Sequence, residues 1–245
     1  MLYIKFSSIV LNMGFLKLLS AMGQIIFPNP CAGCGIQLGD APFPVCYNCM
    51  KNLPETNNMG HLYNETYKIF EGRLNLQFAS SYLFYNRQSL AQQLIHALKY
   101  KNRKDIGLFL GKQMGIGIRK HKMLESVDAL VPLPLHDKKL NKRGYNQSTV
   151  LAEGITSIIN KPILNNAIIR KVYNTTQTTK SRIGRWLNVE HIFDIKNSKE
   201  LENKHLLIID DVVTTGATIE AFGQHLEKLP NTKISVFSCA VAVSI

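Results

Sequence analysis

Four aliphatic residues, Leu206 to Ile209, run without interruption into two adjacent carboxylates, Asp210 and Asp211, followed by Val212, Val213, Thr214, Thr215, Gly216, Ala217 and Thr218. A short, wholly apolar run fits a strand buried on both faces, as in a parallel sheet covered by helices on each side. The glycine and small hydroxyl residues that follow suit a tight turn, and the pattern over 217–229 is helical. Strand, turn and helix in this order point to an α/β architecture. The same segment is a candidate site. The first amides of a helix have no partner inside it, and with threonine hydroxyls they can cradle a phosphate dianion. The two carboxylates just upstream can accept hydrogen bonds from vicinal hydroxyls or hold a hydrated Mg(II). A ribose carrying a 5-phosphate suits both halves at once. A turn with solvated acids and an aspartate cap is the plainer alternative.

The rest of the chain repeats the alternation. The spacing predicts strands over 78–85, 127–132, 167–170, 205–209 and 233–243, and helices over 88–100, 105–122, 145–160 and 217–229. A mostly parallel central sheet flanked by helices follows. The helix over 105–122 contains four glycines and is expected to be loosened by them. Residues 53–77, polar and rich in asparagine turns, read as a linker, and 78–245 as the main domain. Cys239 lies alone in the last apolar run and reads as a core residue.

Upstream lies a second constellation. Cys31 and Cys34, then Cys46 and Cys49, form two C-x-x-C pairs separated by eleven residues. Each pair lets two thiolates reach one ion from a single turn, so the four supply a closed tetrahedral set for structural Zn(II). Gly33, Gly35 and Gly39, with Pro28, Pro30, Pro42 and Pro44, provide the turns this needs. Residues 28–52 therefore read as a zinc ribbon, with two disulfides or an iron–sulfur cluster as the competing readings. Paired free thiols also suit a reducing compartment. Residues 1–27 are largely apolar, yet Lys5, Asn12, Lys17 and Gln24 interrupt them. They are expected to form an amphipathic segment rather than a membrane span, with Met13 as an alternative start.

Charge constrains the partners. The 29 lysines and arginines outnumber the 17 acids, for a net charge of +12, which favours anionic ligands. At 45% hydrophobic and 19% charged, the composition excludes a wholly disordered chain of 245 residues. Three basic segments stand out. Residues 135–147 carry Lys138, Lys139, Lys142, Arg143 and Gly144, and read as a mobile loop that can meet a diphosphate, with Arg143 as its bidentate grip. Residues 161–189 place Arg170, Lys171, Lys180, Arg182 and Arg185 among Tyr173, Thr175, Thr176, Gln177 and Trp186, which fits either a hood over a substrate or a cationic track with stacking surfaces. Lys99, Lys101, Arg103 and Lys104 follow a helix and read as its solvated end. His96 and His136 receive no chemical role.

The segment from Leu206 to Thr218 resembles the thirteen-residue signature of type I phosphoribosyltransferases, which bind 5-phosphoribosyl 1-diphosphate. Together with the four cysteines, Val131-Pro-Leu-Pro-Leu-His136, Arg143-Gly-Tyr-Asn-Gln147 and Thr176-Gln177, the chain resembles the ComF family of bacterial competence proteins from about Pro28 onward. The resemblance implies a type I phosphoribosyltransferase-like domain behind a small N-terminal zinc ribbon. It also implies that Asp210 and Asp211 bind the ribose hydroxyls, and that Val213, Thr214, Thr215, Gly216, Ala217 and Thr218 surround the 5-phosphate. Arg143 and Gly144 would meet the diphosphate with Mg(II), and Asp210, Asp211 and Arg143 are the candidate catalytic residues. The resemblance further implies a cytoplasmic protein, at most peripheral to the inner membrane, that handles single-stranded DNA during uptake beside helicase or channel proteins. The alternative is an active phosphoribosyltransferase of nucleotide metabolism or salvage, for which the sequence names no acceptor.

Overall fold

The computed structural model describes residues 29–121, 125–165, 167–171 and 192–243. The amphipathic segment expected over 1–27 lies outside them, as do Tyr173, Thr175, Thr176, Gln177, Lys180, Arg182, Arg185 and Trp186. The chain divides into two compact units, Met1–Asn52 and Leu53–Ile245.

The described part of the first unit is made of turns. A bridge pairs Pro30 with Gln37. The turn is closed by hydrogen bonds from Cys31 N–H to the Ile36 carbonyl at 2.8 Å and from Leu38 N–H to the Asn29 carbonyl at 2.9 Å. Gly35 adopts φ +78°, a left-handed conformation open to glycine at little cost. Helix α1, Tyr47–Lys51, begins at Cys46, whose sulfur accepts the N–H of Cys49 at 3.4 Å.

The second unit contains strands β1 (Leu76–Tyr85), β2 (Ala129–Pro132), β3 (Ile168–Arg170), β4 (Phe193–Ile195), β5 (His205–Val213) and β6 (Lys233–Ala242). Its helices are α2 (Glu65–Phe70), α3 (Leu90–Tyr100), α4 (Lys104–Lys120), α5 (Asp137–Arg143), α6 (Gln147–Ile159) and α7 (Ala217–Glu227). Four strands form one sheet in the order β1-β6-β5-β2, with every pairing parallel. Leu206, Leu207, Ile208 and Ile209 of β5 are fully buried, and neighbours in a strand face opposite sides, so both faces of the sheet are covered. Leu206 and Ile208 join a core with Phe70 of α2 and Ile219 and Phe222 of α7. Helices α3, α4 and α6 also pack against the sheet.

Four expectations need correction. Residues 53–77 are not a linker. They carry α2, and a buried polar network ties them to the sheet: Asn64 Nδ2 donates to the Ala79 carbonyl at 2.8 Å, and the Thr66 hydroxyl meets that of Ser81 at 2.8 Å. The glycines of α4 do not loosen it. They let it press against α6, where a Cβ on Gly154 would lie 2.6 Å from the Leu108 carbonyl and one on Gly111 would strike the Leu151 carbonyl. The stretch over 135–147 is not a free loop, because α5 occupies its centre, capped by His136 at one end and by Gly144 at φ +77° at the other. Finally, β3 stays out of the main sheet and pairs antiparallel with β4. Among the described residues, no helix is long and apolar enough to cross a membrane.

Candidate functional site

The site grows from the end of β5. Pairing with β6 carries this strand past Ile209, from Asp210 opposite Ser238 to Val213 opposite Val241, so both acids sit on rigid backbone. Asp210 is half-buried, and its Oδ1 accepts the Asp211 N–H at 2.8 Å and the Ser148 hydroxyl of α6 at 3.4 Å. Burial, and then the neighbouring Asp211 carboxylate, push Asp210 up to about 7. Asp211 is buried and forms an ion pair with Lys99 of α3 at 2.7 Å. Burial works against the charge on Lys99, but Asp211 more than offsets it, and the pKa of the ammonium rises.

Three further cations reach this pair electrostatically. Lys139 has its pKa lowered by burial and by Arg170, Arg143 and Lys99. That of Arg170 is lowered by burial, against an opposing pull from Asp210. Arg143 opposes the charge on Lys99, while its guanidinium donates to Gln147 Oε1 at 2.6 Å and lies over the Tyr100 ring. Lys99 of α3 thus pairs with Asp211 directly, and Lys139 of α5 and Arg170 of β3 act on the two acids through space.

The turn after the acids forms a small cleft lined by Asp210 and residues 212–219. Thr214 and Thr215 are exposed, whereas Val213 is buried and can offer a ligand only its backbone. Helix α7 starts at Gly216 with no side-chain cap, leaving its first amides for a ligand. Gly216 has φ +73°, and a Cβ there would lie 2.7 Å from side-chain atoms of both Ile69 and Phe70, so α2 backs the turn directly. Arg73 braces it further. Its guanidinium donates to the Thr215 carbonyl at 2.7 Å and to the Ile69 carbonyl at 2.8 Å, and it pairs with Glu220 in the first turn of α7.

Lys99, Arg73 and Ser148 were not singled out in the sequence as parts of this site. Their partners lie far along the chain, and no local pattern marks such a contact. Of the residues expected to meet the diphosphate, Arg143 ends α5 and Gly144 caps it, so the pair is held by a helix terminus.

In the first unit, the sulfurs of Cys31, Cys34, Cys46 and Cys49 all lie within 4.8 Å of one another, those of Cys34 and Cys46 at 3.7 Å. Zn–S bonds of about 2.3 Å make the edge of a ZnS₄ tetrahedron about 3.8 Å, so the set fits zinc. All four cysteines are free, and 3.7 Å is far longer than a disulfide bond of about 2.05 Å. Burial raises the Cys31 thiol, but backbone N–H groups of Cys34, Cys46 and Gly33 outweigh it and bring the group down to about 6. Cys239, in β6, is fully buried as expected.

Residues 140–243 match the family model of the phosphoribosyl transferase domain. Fold and site therefore define a protein with an α/β phosphoribosyltransferase-type domain and a separate four-cysteine module. The chain is 27% identical over 231 residues to competence protein F of Haemophilus influenzae, covering 86% of this chain and 90% of that one. It is 34% identical over 110 residues to competence protein ComFC of Bacillus subtilis, 44% of this chain and 42% of that one. Against the DNA utilization protein YhgH of Escherichia coli K12 the identity is 29% over 136 residues, 54% of this chain and 59% of that one. The chain is thus similar to competence proteins of the ComF type, to that of Haemophilus influenzae over most of its length.

Proposed function

We propose that the second unit binds 5-phosphoribosyl 1-diphosphate and that the protein serves the handling of single-stranded DNA. The observation that carries the first half is the junction of β5 and α7. Within nine consecutive residues it offers two carboxylates on a sheet strand and an uncapped helix start behind a left-handed glycine. Asp210 and Asp211 accept hydrogen bonds from the ribose hydroxyls. The amides after Gly216, with the hydroxyls of Thr214, Thr215 and Thr218, take the 5-phosphate. Lys99, Lys139, Arg143 and Arg170 provide positive charge for the diphosphate.

Mg(II) fits the same place, since the two acids present hard oxygen donors and a cation there would offset the burial and the Asp211 charge that push Asp210 up. Asp210 and Asp211 would hold the ion through water, and it would neutralise the diphosphate. Zn(II) in the first unit, on four thiolates with no open position, would be structural.

Calorimetry with Mg(II) and the diphosphate sugar should show binding that the double substitution Asp210→Asn, Asp211→Asn removes. Binding that survives in the double variant rules this pocket out. The DNA half rests on the relatives, whose names are those of competence and DNA utilization proteins. In that setting the protein would work in the cytoplasm or at the inner membrane, beside the helicase or channel that moves the strand.

One feature favours a second reading, that of an active transferase. A cleft of about 520 Å³ is lined by Asn146, Thr149, Asn165, Ile168 and Arg170, and Arg170 links it electrostatically to Asp210. It has the size to admit an acceptor. Incubation with the diphosphate sugar, Mg(II) and pooled nucleobases tests this, because diphosphate released with one base alone would identify a transferase.

A further inference from the structure

Two basic segments far apart in the sequence meet at one exposed ring. Tyr100, the last residue of α3, is 59% exposed, and its ring carries the Arg143 guanidinium from the end of α5 at 5.4 Å. The His96 ring lies 4.8 Å from it, one turn earlier on α3. Lys101 and Lys104 follow Tyr100 at the corner between α3 and α4, and Lys142 precedes Arg143 in α5; all three are exposed. Lys104 itself rests its ammonium over the buried ring of Tyr145, 4.9 Å from the centroid. The acids nearby are few. Asp105 is bound to Arg103, and Asp137 stands at the far end of α5.

A solvated helix end needs lysines but has no use for a large aromatic ring left more than half exposed beside them. An unpaired nucleic acid strand needs both, since phosphates seek cations and each base offers a π face. A duplex hides its bases, and one ring is too little apolar surface to enter a bilayer. We infer that a single nucleic acid strand lies across this face, with a base stacked on Tyr100 and phosphates on Lys101, Lys104 and Lys142. The inference rests on the DNA-handling half of the proposed function, and its test replaces none of the residues assigned to the diphosphate sugar.

The test uses the full chain and fluorescence anisotropy, with labelled oligo-dT and an abasic oligomer of equal length as probes. Tyr100→Ala should weaken oligo-dT binding by about five- to 150-fold, the usual range for a lost base stack, and leave the abasic oligomer unaffected. Tyr100→Phe keeps the ring and should restore oligo-dT binding. Replacing Lys101, Lys104 and Lys142 together by glutamine should weaken both probes and flatten the salt slope by about 2, at roughly 0.7 per phosphate contact. Oligo-dT binding that is unchanged in Tyr100→Ala and in the triple variant would put the strand elsewhere, overturning the inference while leaving DNA handling intact. So would a loss in Tyr100→Ala that is equal for both probes. A wild-type chain that binds no oligo-dT at low salt would overturn the DNA-handling reading as well.

Discussion

Replacing Asp210 with asparagine should make the ligand-free protein more stable while ending its binding of the diphosphate sugar. Burial and the adjacent Asp211 carboxylate raise Asp210 to about 7. An aspartate in the unfolded chain titrates near 3.9, and each pH unit between the two states is worth ~1.4 kcal/mol. Holding Asp210 charged in the fold therefore costs about 4 kcal/mol above neutral pH. Because the folded value lies above the unfolded one, the cost is absent below about pH 4 and grows as pH rises through about 7. Asparagine keeps the shape, carries no charge, and still offers an oxygen to the Asp211 N–H that now donates at 2.8 Å. Chemical unfolding followed by circular dichroism at pH 5 and pH 8.5 should show the variant gaining roughly 2–3 kcal/mol on the wild type between the two conditions. A lead that is missing at pH 8.5, or identical at both pH values, would refute the account of a carboxylate charged against its surroundings.

Gly216→Val should destabilise the second unit by about 2–3 kcal/mol, since it forces a branched residue to φ +73° and drives a Cβ into Ile69 and Phe70; an unchanged urea midpoint would count against this packing. Arg73→Met removes the hydrogen bonds to the Thr215 and Ile69 carbonyls and should cost about 1–2 kcal/mol, with little from the partly exposed Glu220 pair, and should weaken ribose 5-phosphate binding in calorimetry. Atomic emission should find about one zinc per chain, and chelation should open residues 29–52 to protease; a ratio near zero would remove the metal.

The β5–α7 junction was legible because its chemistry is contiguous: the apolar run, the acids and the turn are neighbours in the chain. The four cysteines were legible for a similar reason, since spacing alone sets which thiolates can share an ion. What escaped was short or long-range. Helix α2 has six residues and α5 seven, too few for a 3.6-residue period to stand out. Lysines 138, 139 and 142 made α5 look like a mobile loop, although His136 and Gly144 bracket it as cap residues do. Lys99 looked like a helix end in water because its partner, Asp211, comes from a strand more than a hundred residues later. Gly111, in the helix over 105–122, was misjudged from propensity alone, where its close approach to the backbone of α6 decides its role.

The strand order has a consequence for how the molecule is made. The sheet's last strand in sequence, β6, lies between the first, β1, and β5. On the ribosome, β1 must wait for almost the whole unit to emerge before it gains its neighbour in the sheet, with only the bridge from Glu55 to Leu83 along its other edge, and until then β5 has only β2 beside it. Such late, non-local closure implies slow folding and a nascent chain with open strand edges that invites chaperones.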